Sequence, residues 1–356
     1  MVYNTERLGI AQPQDMARIQ MLESASALAR CGHDVDIATA ELRLQFRRAP
    51  EQVADRVRRV PISRVRWGDY DVVETNFHQG WETLKRYHGT AHPFIIAKLG
   101  SVVGAADMPG IYFYGRTRQE MFETQREIHA GARYITLLSQ PAQALWAQTH
   151  GARDGHLLVP GAAAASIPRK GPDPLPKRGT IRVLFSGNVY DRAQPEANRV
   201  LVDKLNALGQ RLAPHASLLF AGPGRVDRID PRFVTYLGAV PYELSWQHMY
   251  HADVGVVVSA GAFMHNNEST KIYHYLRAGL PTVSEAGFPN DHVLLESGLG
   301  RVTPSDDMDR LSAEVLDAAR AEWDRDAGVQ YILTNHSWDA RMRRYDEVIR
   351  RSVVTT

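Results

Sequence analysis

The sequence predicts an α/β protein built from two doubly wound, mostly parallel sheets. Short apolar runs, typical of buried strands, alternate with helical patterns through residues 1–160 and again from residue 181. Between the two series, residues 166–180 contain four prolines interleaved with charged residues, as linkers often do. At 356 residues the chain is longer than one hydrophobic core usually spans, so we expect two domains.

The first series opens with a short strand at residues 1–4 and a loop at residues 5–14. A helix over residues 15–30 follows, and Gly32 suits its left-handed C-terminal cap. The loop has no GxGxxG sequence, so we exclude a nicotinamide cofactor. The remaining strands are predicted at residues 35–38, 71–73, 93–97, 134–138 and 157–159, and the helices at 81–87, 116–129 and 141–149.

The second series has strands at residues 182–185, 217–220, 233–237, 254–258 and 282–284. Its predicted helices span residues 196–212, 245–251, 266–278, 306–321 and 323–333. A last helix begins after Ser337, which can cap it. Trp338, Met342, Tyr345 and Ile349 follow at steps of four, three and four, so they share one helical face that must be buried.

Residues 266–284 carry the strongest functional signal. They run from a buried strand through a polar turn into a helix start, which places that start at the carboxyl edge of a sheet, where α/β proteins bind ligands. Free N–H groups at a helix start attract anions, and Lys271 adds a full charge. Glu268 could accept sugar or ribose hydroxyls. The alternative is that Glu268 and Ser269 only cap the helix and Lys271 is solvated.

Three glycine-bearing turns support the ligand interpretation. Gly187, Gly222 with Gly224, and Gly238 each follow a strand, so all three turns should reach the same edge as Lys271. In the first series, His78 follows a strand end and could accept a proton or contact a sugar hydroxyl. A loop histidine held by hydrogen bonds is the alternative for His78.

The composition excludes several classes of protein. The formal net charge of +2, from 42 basic and 40 acidic residues, gives no argument for nucleic acid as a partner. The single cysteine, Cys31, cannot form an internal disulfide, which fits a cytoplasmic protein. No apolar run approaches the ~20 residues of a membrane span, and no signal peptide is visible. The arginine-rich segment Arg43–Arg66 suggests contact with an anionic membrane face or lipid phosphate; a solvated helix face is the alternative.

The second half resembles nucleotide-sugar-dependent glycosyltransferases of the GT-B fold, especially the large retaining group. The resemblance extends over most of residues 180–350 and rests on order and spacing, because each motif alone is weak. The motifs are FSGN at 185–188, LFAGPG at 219–224, LGAVPYEL at 237–244, ADV at 252–254, ESTK at 268–271, YLRAGLP at 275–281 and HSW at 336–338.

The resemblance implies two Rossmann-like domains facing a cleft. Residues 1–165 would form the acceptor domain, 166–180 the linker and 181–334 the donor domain, with 335–356 packing back on the first domain. Lys271 would hold the diphosphate without a metal, helped by the amides of Ser269 and Thr270. The other implied contacts are Gly187, Asn188 and Arg192 at the phosphates, Gly222, Gly224, Val240 and Tyr242 near the base, and Gly9 and His78 at the transferred sugar.

The resemblance also implies UDP or GDP as the nucleotide and a hydroxyl group on a glycan, lipid or natural product as the acceptor. Many members of the group carry two glutamates eight positions apart, where this chain has Asn266 and His274. The stereochemical outcome therefore stays open between retention and inversion. Two other functions also stay open: a sugar-nucleotide epimerase of the same fold, and a partner protein that has lost turnover.

Overall fold

The computed structural model describes residues 1–3, 16–39, 49–92, 94–104, 118–176, 180–190 and 195–353. These residues form two compact units. The first unit contains the described residues up to Pro160 together with the C-terminal helix from Trp338, and the second contains Gly161–Ser337.

The first unit is built on one sheet. Its strands are β1 (Val2–Tyr3), β2 (Val35–Thr39), β3 (Glu51–Ala54), β4 (Val57–Pro61), β5 (Val73–Asn76), β6 (Ile95–Lys98), β7 (Tyr134–Leu137) and β8 (His156–Leu158). The order is β3-β4-β2-β1-β5-β6-β7-β8, and only β3 and β4 pair antiparallel. Its first helices are α1 (Met16–Arg30), α2 (Phe77–Tyr87), α3 (Arg118–Gly131) and α4 (Gln140–His150). Although β1 has only two residues, it lies between β2 and β5, where Val2 pairs with Ala38 and Thr75.

Residues 51–61 of the arginine-rich segment form a hairpin, which was not predicted. Over β3 and β4 the expected helix face is wrong, because Val57 and Val60 are buried in the sheet while Arg58 points to solvent. Arg58 pairs with Asp36 at 2.8 Å. Within the described part of this segment, three arginines have carboxylate partners: Arg56–Asp34, Arg58–Asp36 and Arg59–Glu51. Arg59 is itself buried. Arg43, Arg47 and Arg48 lie outside the described residues, and membrane contact stays a prediction.

The second unit is a six-stranded parallel sheet with helices on both faces. Its strands are β9 (Ile181–Ser186), β10 (Ala216–Ala221), β11 (Val234–Gly238), β12 (Val254–Val257), β13 (Thr282–Glu285) and β14 (Gly300–Thr303), in the order β11-β10-β9-β12-β13-β14. The helices are α5 (Pro195–Leu212), α6 (Tyr242–His251), α7 (Thr270–Arg277), α8 (Asp291–Glu296), α9 (Met308–Arg320) and α10 (Arg325–His336). Separate apolar clusters cover the two faces of the sheet. The predicted doubly wound arrangement is confirmed; β14 and α8 were not predicted.

The proline-rich segment expected to be a linker belongs to the second unit. The carbonyl of Pro168 accepts a hydrogen bond from the Tyr250 hydroxyl at 2.7 Å. Gln247 receives the N–H of Gly171 at 2.6 Å, and Leu175 is buried in the apolar cluster beneath α6. The described part of this segment is therefore packed against α6, because its backbone groups find acceptors and donors there.

The C-terminal helix α11 (Trp338–Val353) packs against α1 in the first unit, which confirms that the helix returns to the N-terminal part of the chain. Trp338, Met342 and Tyr345 are buried, as their spacing predicts. The Tyr345 hydroxyl donates to Glu74 on β5. Among the described residues, no helix is both long and apolar enough to cross a membrane.

Candidate functional site

The glycine-bearing turns of the second unit meet at the carboxyl edge of its sheet. The Gly187 N–H after β9 donates to the carbonyl of Ala221 at the end of β10, at 3.0 Å. The Gly222 N–H donates in turn to the carbonyl of Gly238 at the end of β11, at 2.9 Å. The three turns are thus hydrogen-bonded in sequence across the sheet edge, as expected for parallel strands that end side by side.

Two of these glycines are required by geometry. Gly222 and Gly224 have φ of 150° and 128°, which side chains rarely adopt. A Cβ atom on Gly222 would overlap the carbonyl oxygen of Gly187, and one on Gly224 would lie 2.8 Å from the carbonyl oxygen of Tyr190. The turns after β9 and β10 are therefore in direct backbone contact.

Asn198 on α5 stabilises this contact and was not among the predicted site residues. Its side-chain amide, which is buried, donates to the carbonyls of Val189, Tyr190 and Arg225 at 2.7, 3.2 and 2.8 Å. One amide thereby joins the turn after β9 to the turn after β10. Leu201, Val202 and Leu205 lie three, four and seven positions further along the buried face of the same helix, so the burial of position 198 could have been recognised.

Asn188 shapes the turn after β9 and is exposed. Its Oδ1 accepts the N–H of Tyr190 at 2.6 Å, an interaction that stabilises tight turns. Tyr190 itself has a positive φ of 66°, which is unusual for a bulky residue. Arg192, the proposed phosphate contact next along the chain, lies outside the described residues.

The start of α7 is held in place by Asn290, which was also not among the predicted site residues. Asn290 Oδ1 accepts the Ser269 N–H at 2.9 Å, and its Nδ2 donates to the Ser269 carbonyl at 3.0 Å. The Ser269 hydroxyl makes no capping bond. It is buried and has no hydrogen-bond partner among the described residues. A buried hydroxyl without a partner costs free energy, so this atom suits a ligand that would supply the missing bond.

Lys271 lies in the first turn of α7 and extends towards Gly187. Its Nζ is 5.2 Å from the centre of the Phe185 ring. The side chain is partly buried, and burial lowers the pKa of Lys271 to about 8. Among the described residues, no carboxylate pairs with its Nζ, and burial alone accounts for the lowered pKa. A partly buried amine without a carboxylate partner favours a bound anion, which would stabilise its positive charge.

Tyr275, one turn later, ties α7 to the end of β9. Its buried hydroxyl accepts the Ser186 N–H at 2.6 Å and donates to the Leu184 carbonyl at 3.3 Å. The ring packs against Gly255, where a Cβ atom would lie 2.6 Å from Cδ2 of the tyrosine. Tyr275 therefore holds the residue that precedes Gly187 in place relative to Lys271.

Glu268 was expected to accept sugar or ribose hydroxyls, and in this structure it accepts hydrogen bonds from groups of the protein itself. Its Oε2 accepts the Gly161 N–H at 2.6 Å and the Tyr273 hydroxyl at 3.1 Å. This oxygen holds the first residue of the second unit against α7. Its place in ligand binding stays a prediction.

Val240 and Tyr242 follow β11 at the same sheet edge, and both are partly buried. Tyr242 begins α6, and its ring meets that of Trp246 edge-on at 6.0 Å. Thr270, the first residue of α7, is partly buried as well. Gly187 thus lies close to both Lys271 and Gly222, and Ser269 lies two residues before Lys271.

His78 belongs to the first unit, where it is the second residue of α2. It follows Phe77, whose φ of 57° is strained for a bulky residue, and the Phe77 ring packs onto Gly100. Strained backbone of this kind is frequent at functional sites. His78 is buried, and its Nε2 lies 2.9 Å from Nε2 of Gln125 on α3. Gly9, expected near the transferred sugar, lies outside the described residues.

Comparison with known proteins supports the fold. No protein-family model matches the chain, and no curated protein shows significant sequence similarity to it. Solved structures do match over nearly the whole chain. A sucrose-phosphate synthase from Thermosynechococcus elongatus has a TM-score of 0.73 at 14% identity and covers 96% of this chain and 94% of its own. This chain has the GT-B fold.

Two further GT-B structures match at similar coverage. HepE from Anabaena, solved in complex with UDP and glucose, has a TM-score of 0.65 at 12% identity and covers 98% of each chain. An α,α-trehalose-phosphate synthase (UDP-forming) from Burkholderia xenovorans, solved with glucose-6-phosphate, has a TM-score of 0.64 at 10% identity and covers 98% of this chain and 99% of its own. At these identities the likeness establishes the GT-B fold.

In this chain, Asn266 and His274 occupy the two positions that carry glutamates in many GT-B transferases. His274 faces the ring of Trp246 at 5.7 Å, and burial lowers the pKa of His274 to about 4. The imidazole is therefore neutral near pH 7. Asn266 is partly buried before α7. Within the described part of this GT-B chain, no group of three or more His, Cys, Asp or Glu residues is arranged to hold a metal ion.

Proposed function

We propose that this GT-B protein is a glycosyltransferase that moves a sugar from a nucleoside-diphosphate sugar to a hydroxyl acceptor. The observation that carries the proposal is Lys271: a partly buried amine without a carboxylate partner among the described residues, set against Gly187 where three glycine turns converge. A diphosphate supplies the negative charge that this site lacks.

The start of α7 adds to the attraction for a diphosphate. The first N–H groups of a helix have no acceptor within the helix and favour anions. The Ser269 hydroxyl at this helix end has no partner among the described residues and can donate to a phosphate oxygen. Gly187 and Asn188 would lie along the phosphates, together with Arg192. Gly222, Gly224, Val240 and Tyr242 would border the nucleobase.

These groups would act as the sugar is transferred. The bond between the anomeric carbon and the diphosphate oxygen breaks, and its electron pair stays on the diphosphate. The acceptor oxygen bonds to the anomeric carbon, and the hydroxyl proton passes to a basic oxygen of the departing diphosphate. Fixed donors aimed at the growing charge supply most of the catalysis in reactions of this kind. We assign this role to Lys271, the Ser269 hydroxyl and the Thr270 amide, because the Ser269 N–H already donates to Asn290. We propose a reaction that retains configuration without a metal ion.

UDP or GDP is the proposed nucleotide. UDP is supported by the similarity to HepE, which was solved in complex with UDP and matches over 98% of its own length. His78 and Gly9 of the first unit would contact the transferred sugar. Glu268 would contact a hydroxyl of the donor. A partner protein without turnover is the second candidate, because His274 and Asn266 occupy the positions of the two glutamates.

Donor turnover separates these functions. The protein would be incubated with UDP-, GDP-, TDP- and ADP-sugars, with and without a mixed set of hydroxyl acceptors, and the products identified by chromatography and mass. A transferase releases nucleoside diphosphate and adds one sugar mass to an acceptor, and Lys271→Met abolishes both. An epimerase changes the sugar nucleotide at constant mass without an acceptor. Tight nucleotide binding without either product would favour the partner protein.

A further inference from the structure

Gln125 is a wholly buried side chain at the centre of a hydrogen-bonded cluster in the first unit. Its Oε1 accepts the Val103 N–H at 3.2 Å, and its Nε2 donates to the Ser101 carbonyl at 3.2 Å. The same amide meets two imidazoles. His78 Nε2 lies 2.9 Å from Gln125 Nε2, and His150 Nε2 lies 3.2 Å from Gln125 Oε1.

The two backbone contacts decide which way the amide points. A backbone N–H can only donate and a carbonyl oxygen can only accept. Exchanging oxygen and nitrogen in Gln125 would set its NH₂ against the Val103 N–H and its oxygen against the Ser101 carbonyl. Both contacts would then be repulsive inside the core, where an unsatisfied polar group is costly. Nε2 of Gln125 is therefore the atom that faces His78.

The orientation of the amide fixes the protons on both imidazoles. An amide NH₂ donates, so His78 Nε2 must accept with its lone pair, and the proton of the neutral ring lies on Nδ1. The amide oxygen accepts, so His150 Nε2 must carry a proton. Burial lowers the pKa of His150 to about 4, which leaves this ring neutral as well near pH 7.

We propose that Gln125 is a positioning residue that holds His78 as the Nδ1–H tautomer, so that His78 serves the reaction as a hydrogen-bond donor through Nδ1 and not as a base through Nε2. The second clause rests on the proposed glycosyltransferase function. The first rests on the geometry of Gln125 alone.

The backbone around His78 supports a positioned ring. Gly80, two residues later, lies so close to β1 and β5 that a Cβ atom would be 2.7 Å from the Val2 carbonyl oxygen and 3.2 Å from the carbonyl carbon of Thr75. A Cβ atom on Gly100 would be 2.6 Å from Cε1 of Phe77. The start of α2 is thus packed tightly against neighbouring strands. On this fixed backbone, the hydrogen bond from Gln125 orients the His78 ring.

Nitrogen NMR of the histidine rings tests the tautomer directly in the full-length protein. Long-range proton–nitrogen spectra of protein labelled with ¹⁵N-histidine distinguish protonated from unprotonated ring nitrogens, and the spectrum of His78→Asn assigns the His78 signals by their loss. We expect a protonated Nδ1 and an unprotonated Nε2 for His78. An Nε2–H tautomer in the wild-type protein would overturn the proposal whether or not sugar transfer is observed.

Gln125→Glu tests the link to the reaction. The carboxylate still accepts from Val103 but cannot donate to His78, so we expect His78 to take up a proton on Nε2 and kcat for transfer to fall about 10–100-fold with KM for the donor little changed. Gln143→Glu on α4 is the matched control and should change neither. A tautomer switch with unaltered kcat would overturn the catalytic clause. If Gln125→Glu does not fold, Gln125→Met, which removes all four hydrogen bonds of the amide without adding charge, should give mixed His78 tautomers and a lower kcat.

Discussion

The side chain of Lys271 lies directly over the α-carbon of Gly187. A Cβ atom at residue 187 would overlap Cε of the lysine and lie 3.1 Å from its Nζ. Tyr275, on the same helix as Lys271, holds the Ser186 N–H one residue earlier at 2.6 Å. The position of the amine relative to the turn after β9 is therefore set from both sides, and glycine at 187 is what allows the close approach.

Gly187→Ala should weaken nucleoside-diphosphate binding about tenfold or more, because the methyl group displaces the Lys271 amine from the turn. Isothermal titration with the preferred nucleotide measures this loss. Gly68→Ala is the matched control, since no atom lies within 4 Å of a Cβ placed there, and its affinity should equal that of the wild type. Equal affinities for Gly187→Ala and the wild type would contradict the assigned contact.

The affinity for nucleoside diphosphate should fall as pH rises through about 8. The pKa of Lys271 is lowered to about 8 by burial, so the free protein loses this positive charge above that pH. Lys271→Arg keeps its charge and should show a flatter profile between pH 7 and 9.5. A wild-type profile as flat as that of Lys271→Arg would remove Lys271 from the site.

The same pKa shift predicts how stability depends on pH without ligand. Because the amine is protonated less readily in the folded state, the unfolded chain binds more protons between pH 8 and about 10.5, and the free energy of unfolding rises over this interval. Lys271→Met should lack this rise relative to the wild type in urea titrations at matched pH.

Ser269→Ala should separate stability from binding. The hydroxyl has no hydrogen-bond partner among the described residues, so its removal should leave the free energy of unfolding unchanged or raise it by up to ~1 kcal/mol. Nucleotide affinity should nevertheless drop by roughly three- to tenfold, since a bond of ~0.5–1.5 kcal/mol to the ligand is lost. Reduced stability together with unchanged affinity would show that the hydroxyl has a structural role.

Asn198→Asp should destabilise the protein more than Asn198→Leu. The amide of Asn198 donates to three carbonyls, and a carboxylate of the same shape would place negative charge against all three. We expect a loss of about 3–5 kcal/mol for aspartate, against about 1–3 kcal/mol for leucine, which leaves the carbonyls unsatisfied but adds no repulsion. Chemical denaturation of both variants measures the two losses of stability. A larger loss for leucine than for aspartate would contradict the assigned hydrogen bonds of Asn198.

The residues that hold the site show why the sequence predicted its edge but not its supports. A glycine after a strand and a lysine at a helix start can both be recognised in short stretches of sequence. Because parallel strands end at the same edge of the sheet, the convergence at Gly187 and Lys271 could be expected. Asn198 and Gln125 act through partners that are distant in sequence. Both lie on apolar faces of their helices, Asn198 beside Leu201 and Gln125 between Met121 and Ile128, and a polar residue on such a face signals a buried hydrogen bond.

The hairpin β3–β4 was missed for a different reason. Its strands contain arginines at positions that a half-buried strand would fill with apolar residues, and Arg59 is buried because Glu51 on the paired strand neutralises it. Cross-strand pairing of this kind is invisible in a single stretch of sequence. Glu268, in turn, was expected at a ligand, yet its Oε2 holds Gly161, a contact spanning over a hundred residues that no local pattern reveals.

The measurement that tests the central claim most directly is a thermal-shift panel with UDP, GDP, TDP and ADP on the wild type, Lys271→Met and Lys85→Met. Lys85 is a surface lysine of the first unit paired with Glu127, and it controls for loss of one charge. One nucleotide at ~100-fold over its dissociation constant should stabilise the wild type and Lys85→Met by about 2.7 kcal/mol, and Lys271→Met far less. No shift with any nucleotide, or an equal shift in all three proteins, would contradict a diphosphate site at Lys271.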